Sequence, residues 1–202
     1  MALKALAINC TLKADAAEKS STDAMIAVLT EAFAEHDVEV VETVRVAAAN
    51  IMAGVTSDEG PGDDWPLLRS KILANDILIF GGPIWMGQIS SVAKRVLERM
   101  DAFLDETDDQ GRMPSYGKVA VAAIVGNEDG AHFSSAQLFQ SLNDTGWTIP
   151  AVAACYWVGE AMGSVDFQDL DETPEKVTKT AKMVASNAAH LAGLLKEKGY
   201  PG

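Results

Sequence analysis

The sequence predicts an α/β protein, a doubly wound five-stranded parallel sheet of order 2-1-3-4-5 with helices on both faces. Three observations predict it. Short apolar, β-branched runs recur along the 202 residues, and a segment with helical spacing separates each run from the next. The runs are also apolar throughout instead of alternating, as strands covered on both faces must be. A right-handed crossover then lays each helix over the sheet, and ligands of such sheets bind beyond the strand C-termini, near the switch point between strands 1 and 3.

The elements follow in order. Strand 1 is expected from Leu3 to Cys10, and Ser21 and Thr22 open a helix whose Met25, Val28, Leu29, Ala32 and Phe33 share one face. Strand 2 runs from Val38 to Val46. Strand 3 runs from Asp76 to Phe80 and ends in Gly-Gly-Pro, and Ser90 and Ser91 start a helix with Val92, Val96, Met100 and Phe103 inward. Strand 4 spans Lys118 to Val125, and a stripe of Leu138, Phe139 and Leu142 stops at Gly146, a residue suited to a helix C-terminus. Strand 5 is expected from Thr148 to Cys155. A last helix, 173–198, opens at Thr173-Pro174, buries Val177, Ala181, Val184, Ala188, Leu191 and Leu195, and ends before Gly199.

Residues 1–202 are expected to form one domain, interrupted by two long connections at 47–65 and 105–116. Both are rich in Gly, Asp and Pro, and such segments usually serve as lids, binding loops or oligomer contacts.

A net charge of −13 and a pI near 4.5 repel phosphate backbones and anionic lipid, so nucleic acid and membrane are not expected partners. The N-terminal apolar stretch is too short for a signal segment, no run approaches a membrane span, and the expected location is the cytoplasm. Cys10 and Cys155 are the two cysteines, and the strand order keeps them apart. His36, His132 and His190 are scattered, so no metal site is expected. The glycine-rich dinucleotide and nucleoside-triphosphate fingerprints, the nucleophile elbow and the zinc-protease motif are all missing.

What remains lies in loops at the switch point. "NCTLKADAAEKSST" carries Thr11, Lys13, Ser20, Ser21 and Thr22 into helix 1, where free N–H groups and hydroxyls suit one phosphate group. The competing reading is an ordinary helix cap with a polar loop. In "FGGPIWMGQISS", glycines and Pro83 bring backbone close to a ligand while Trp85 and Met86 offer flat, polarizable contact, a combination that fits an aromatic ring system. The same residues also suit a core or a dimer contact. "VGNEDGAHF" adds Gly126, Asn127, Gly130 and His132, as polar-edge contacts or as a plain turn. Tyr156 and Trp157, beyond strand 5, either enclose the site or pack in the interior.

On "INCTLK…SST", "GGPIWMGQISSVAKRVLERMDAFLD" and "GKVAVAAIVGNEDGAHF", the chain resembles the flavodoxin-like FMN proteins. It is most similar to their NAD(P)H-dependent FMN reductase and quinone reductase branch, over most of residues 3–160. The resemblance implies bound FMN, with Thr11, Lys13, Ser21 and Thr22 holding its phosphate. It places Pro83, Ile84, Trp85, Met86 and Gly87 beside the isoalloxazine, and Gly126, Asn127 and Gly130 at its polar edge or ribityl chain. Where the family commonly shows Gly-Ser-x-Arg, this chain has Cys10-Thr11-Leu12-Lys13.

The resemblance implies a hydride taken from NADPH or NADH and passed to a quinone, flavin or similar small aromatic acceptor, in a homodimer or homotetramer. No protein nucleophile is needed; His132 is a candidate hydrogen-bond donor to the acceptor. A flavodoxin-type electron carrier is the alternative, and a sheet that has lost its flavin is a third reading. The 47–65 segment and the C-terminal helix favour the enzyme.

Overall fold

The apolar runs pair side by side in the computed structural model, which describes residues 2–201; Met1 and Gly202 of the expected domain lie outside the described residues. The elements are β1 (Leu3–Asn9), α1 (Ser21–Ala34), β2 (Val38–Arg45), α2 (Trp65–Leu73), β3 (Ile77–Trp85), β4 (Gln88–Ile89), α3 (Ser91–Met100), β5 (Val119–Gly126), α4 (Ala131–Asp144), β6 (Ala154–Val158) and α5 (Glu175–Glu197). The parallel strands lie in the order β2-β1-β3-β5-β6, which is the expected order, and the two-residue β4 pairs antiparallel with β3.

Alternation along each strand divides two cores. Leu6, Ile8, Leu78, Phe80, Ala122 and Ile124 meet α2, α3 and α4, whereas Ala5, Ala7, Ile77, Ile79, Val121 and Ala123 meet α1 and α5. Small residues line the second interface from both sides, with Ala181, Ala185, Ala188 and Ala192 on α5. Cys10 and Cys155 lie in opposite cores as free thiols, and burial pushes both up, Cys155 to about 12.

Four boundaries differ from expectation. β3 does not stop at Phe80. Its pairing with β1 ends at Asn9 with Gly81, yet its pairing with β5 continues to Pro83 with Val125. Pro83 is tolerated because β1 no longer needs a donor on that side. The last strand starts later than Thr148. Thr148 bridges to Val119, the chain leaves the sheet around Pro150 with Val152 at a φ of 55°, and regular pairing resumes at Ala154. The cap of α1 falls one residue before the expected Ser21, on Ser20, and that of α5 one residue after the expected Thr173, on Pro174.

The 47–65 connection is built round a buried ion pair. Arg99 meets the Asp63 carboxylate at 2.7 Å with both side chains fully buried, and its other N–H groups donate to the carbonyls of Met52 and Thr56. Asp63 also accepts from the backbone N–H groups of Met52, Glu59 and Trp65. Desolvation raises its pKa, but these hydrogen bonds and Arg99 outweigh it and hold the carboxyl at about 2, below its ordinary 3.8. A depressed folded-state pKa adds stability above the unfolded value, and that stability is lost as pH falls from about 4 toward 2. Asp63→Asn should therefore flatten this acid limb and cost about 3–5 kcal/mol, the penalty of stranding a buried guanidinium. Acid and urea unfolding followed by circular dichroism measure both effects.

Candidate functional site

Beyond the C-terminal ends of β1, β3, β5 and β6 lies a cavity of about 310 Å³. Its first wall is the loop from β1 to α1. The Asn9 carboxamide folds this loop by accepting from the Thr11 N–H at 2.9 Å and donating to Asp23 at 2.5 Å. Arg45, paired in register with Asn9, clamps the far side by donating to the carbonyls of Asp15 and Glu18 and pairing with Asp23. Lys13 lines the cavity, but its ammonium donates to the Lys19 carbonyl at 2.6 Å and pairs with Glu18 at 3.3 Å. The first amides of α1 have no intrahelical acceptor, and the Ser20 side chain does not cap them. Ser20, Ser21 and Thr22 present that helix start to the cavity.

The second wall is the end of β3. Ile84 is buried, whereas Trp85 is 52% exposed and lies along the cavity. Met86 and Gly87 turn the chain into β4 with φ of 52° and 74°, the left-handed pair that a two-residue hairpin requires. Met86 pays for that geometry with backbone strain, and Glu128 fixes the turn by accepting from the Met86 and Gly87 N–H groups at 2.8 and 3.2 Å.

Gly126, Asn127 and Glu128 make the third wall, and Trp157 with Asp166, Phe167 and Gln168 the fourth. Asn127 joins the two, its amide donating to the Asp166 carboxylate at 2.6 Å. Two buried oxygens on these walls, Asn127 Oδ1 and Gln168 Oε1, have no hydrogen-bond partner.

Of the residues expected from sequence, Thr11, Lys13, Ser21, Thr22, Pro83, Ile84, Trp85, Gly126, Asn127 and Trp157 line the cavity. Met86, Gly87 and Gly130 lie outside its lining. Met86 stands in solvent at the hairpin tip, and Gly130 packs on the Gly87 backbone, where an added Cβ would sit 2.5 Å from the Gly87 carbonyl oxygen. His132 is also outside, with Nε2 3.0 Å from the Tyr156 hydroxyl; Tyr156 and Trp157 take opposite faces of β6. None of residues 47–65 lines the cavity. Sequence reasoning missed Glu128 and the Asp166–Gln168 segment. The signal for the latter was an aromatic residue between polar ones just past the last strand.

The NADPH-dependent FMN reductase family matches residues 3–162. This chain belongs to that family. Among its relatives, the divalent metal cation transporter MntH of Mycobacterium bovis is 35% identical over 96% of the chain, which spans only 29% of that protein's length. The 8-demethyl-8-aminoriboflavin-5′-phosphate synthase of Streptomyces davaonensis is 31% identical over 99% of the chain and 81% of its own length. The crystal structure of RosB with its bound intermediate, 8-demethyl-8-formylriboflavin-5′-phosphate, superposes at a TM-score of 0.88 with 31% identity, covering 100% of this chain and 83% of that one. In this FMN reductase family member, the contact between Gly130 and Gly87 holds the hairpin that carries Trp85 against the β5–α4 loop. Gly130→Ala adds a Cβ at a φ of 132° against backbone, and should cost about 1–3 kcal/mol in a thermal melt.

Proposed function

We propose that the cavity binds FMN and that the chain is an oxidoreductase moving a hydride from NAD(P)H to a small flat acceptor such as a quinone or a flavin. One observation carries this reading: a single cavity runs from the start of α1 to Trp85 at the switch point of the sheet. Its volume of about 310 Å³ lies within the roughly 300–1,000 Å³ common for small-molecule sites. The donor set fits the group. The helix start and the hydroxyls of Thr11, Ser21 and Thr22 suit a phosphate, Ile84 and Trp85 suit a ring, and the unpaired oxygens of Asn127 and Gln168 suit the donors of an imide and a polyol.

When bound, FMN supplies the hydride chemistry itself. The chain's own task is placement. The amides of α1 hold the phosphate, and the cavity-lining Lys13 is engaged within its loop. Trp85 and the hairpin fix one side of the ring, and Glu128 keeps the hairpin amides in place. Nicotinamide donor and acceptor would approach from the solvent side, past the exposed Trp85 and Met86. Assembly as a homodimer or homotetramer and a cytoplasmic setting complete the proposal.

A second reading makes the flavin the substrate instead of the resident cofactor. The similarity to the aminoriboflavin-phosphate synthase over nearly the full chain favours it.

Adding FMN to the purified protein should quench flavin fluorescence, and NADPH or NADH added without air should bleach the visible absorption band of the oxidised flavin. Flavin recovered afterwards with unchanged mass supports the oxidoreductase; a changed mass supports the second reading; absence of bleaching by either nucleotide defeats hydride transfer. Trp85→Ala should weaken FMN binding by about 10-fold, the loss of one aromatic contact.

A further inference from the structure

A second cavity, of about 680 Å³, lies at the other end of the sheet, where Asp76 and Lys118 stand immediately before β3 and β5. Four cations line it, Arg69, Arg112, Lys118 and Lys196, against the three carboxylates of Asp76, Glu106 and Asp108. In a chain of net charge −13 this is a local excess of positive charge. Arg69 pairs with Glu106, Arg112 with Asp108 at 2.7 Å and Lys196 with Asp76 at 2.9 Å. Lys118 is left over. Among the described residues no carboxylate pairs with it, and its ammonium donates to the Asn75 carbonyl at 3.0 Å. Asp76, the acid whose charge it feels, already accepts from the Lys4 N–H and from Lys196. Burial pulls the Lys118 pKa below the ordinary lysine value, as expected of an ammonium that has lost water without gaining a partner of its own. Arg69 carries a further unused donor, since its Nε is buried and unpartnered. The same cavity has an aromatic wall: Tyr116 and Tyr200 meet edge to face with ring centroids 5.6 Å apart, and the Tyr200 hydroxyl lies 2.9 Å from that of Thr148.

We propose that this second cavity binds a small aromatic monocarboxylate, whose carboxylate pairs with Lys118 and whose ring rests on Tyr116 and Tyr200. The charge balance sets the first half. One cation without a carboxylate of its own takes one negative charge, and a phosphate dianion would bring a second charge to face Glu106 and Asp108. An ammonium has three donors and Lys118 uses one, so two remain for a carboxylate in a charge-assisted pair. The rings set the other half, because a tyrosine face takes the edge of another aromatic ring and an aliphatic acid would forgo that contact. The site shares no residue with the cavity at the C-terminal ends of the strands, and it does not depend on what that cavity binds.

Benzoate is the smallest probe with both parts, and calorimetry on the wild-type protein should give a dissociation constant of about 1 mM, with FMN present or absent. Benzamide, a ring without the charge, and inorganic phosphate, charge without a ring, should each bind at least about 10-fold more weakly. Lys118→Gln, which keeps a donor for the Asn75 carbonyl, should weaken benzoate by about 10-fold or more, the loss of a charge-assisted pair. If that variant melts early, the wild-type protein serves: benzoate should protect Lys118, but not the exposed Lys179, from acetylation by N-hydroxysuccinimidyl acetate, read by peptide mass spectrometry. Competition between benzoate and FMN, equal binding of benzamide or phosphate, or unchanged affinity in Lys118→Gln overturns the assignment. So does a Lys118 that is unreactive or unprotected, or a wild-type protein that binds no benzoate at about 10 mM, well above the expected constant.

Discussion

The site depends on a step in the sheet. β1 ends its pairing at Asn9 with Gly81, while β3 and β5 run on together to Pro83 and Val125. Two strands therefore project past a third, and the shortfall is filled by the loop that enters α1. The Asn9 carboxamide sits at the corner, turning that loop on one side and tying Asp23 of the helix on the other. Without the step, α1 would start against a flush strand end and no cavity would open between its amides and Trp85. Proline in β3 records the same constraint, since it occupies the stretch where no strand remains on the β1 side to take a donor.

The second organising fact is electrostatic. A chain carrying −13 would repel a phosphate at long range, and two cations beside the loop that enters α1, Lys13 and Arg45, are committed within the protein. Arg45 neutralises Asp23 and holds two loop carbonyls, and Lys13 holds Glu18 and a third. In the cavity lining, what is left for an anion is fixed backbone polarity at the helix start together with hydroxyls. Such groups bind without the long flexible side chain of a free lysine or arginine, and they impose direction on the ligand.

Carboxylates serve the opposite wall. Glu128 holds the hairpin amides and Asp166 holds Asn127, so each acidic residue of the lining organises a donor of the protein itself. Asp63 plays the same part for Arg99 in the 47–65 connection. That connection, expected as a lid, a binding loop or an oligomer contact, is tied through a buried pair to α3, on the face of the sheet that carries α2 and α4, and does not line the cavity.

The fold and most of the lining were legible in the sequence because they depend on local pattern. Continuous apolar runs announced covered parallel strands, helical spacing announced the crossovers, and the switch point followed from the order. Thr11, Ser21, Pro83, Trp85 and Asn127 were then found by their position after strand ends, and the likeness to FMN reductases gave them roles. Tertiary structure decided the rest, where distant segments meet. Nothing local distinguishes Arg45 from a solvated charge until β2 is laid in register beside Asn9. Gln168 enters the cavity only because Phe167 is buried against Trp157, and Met86 leaves it because the hairpin turns its side chain to solvent. Sequence spacing fixes which residues lie at the ends of strands; which side chains converge there is set by packing across the sheet, a property of pairs that no single stretch of chain contains.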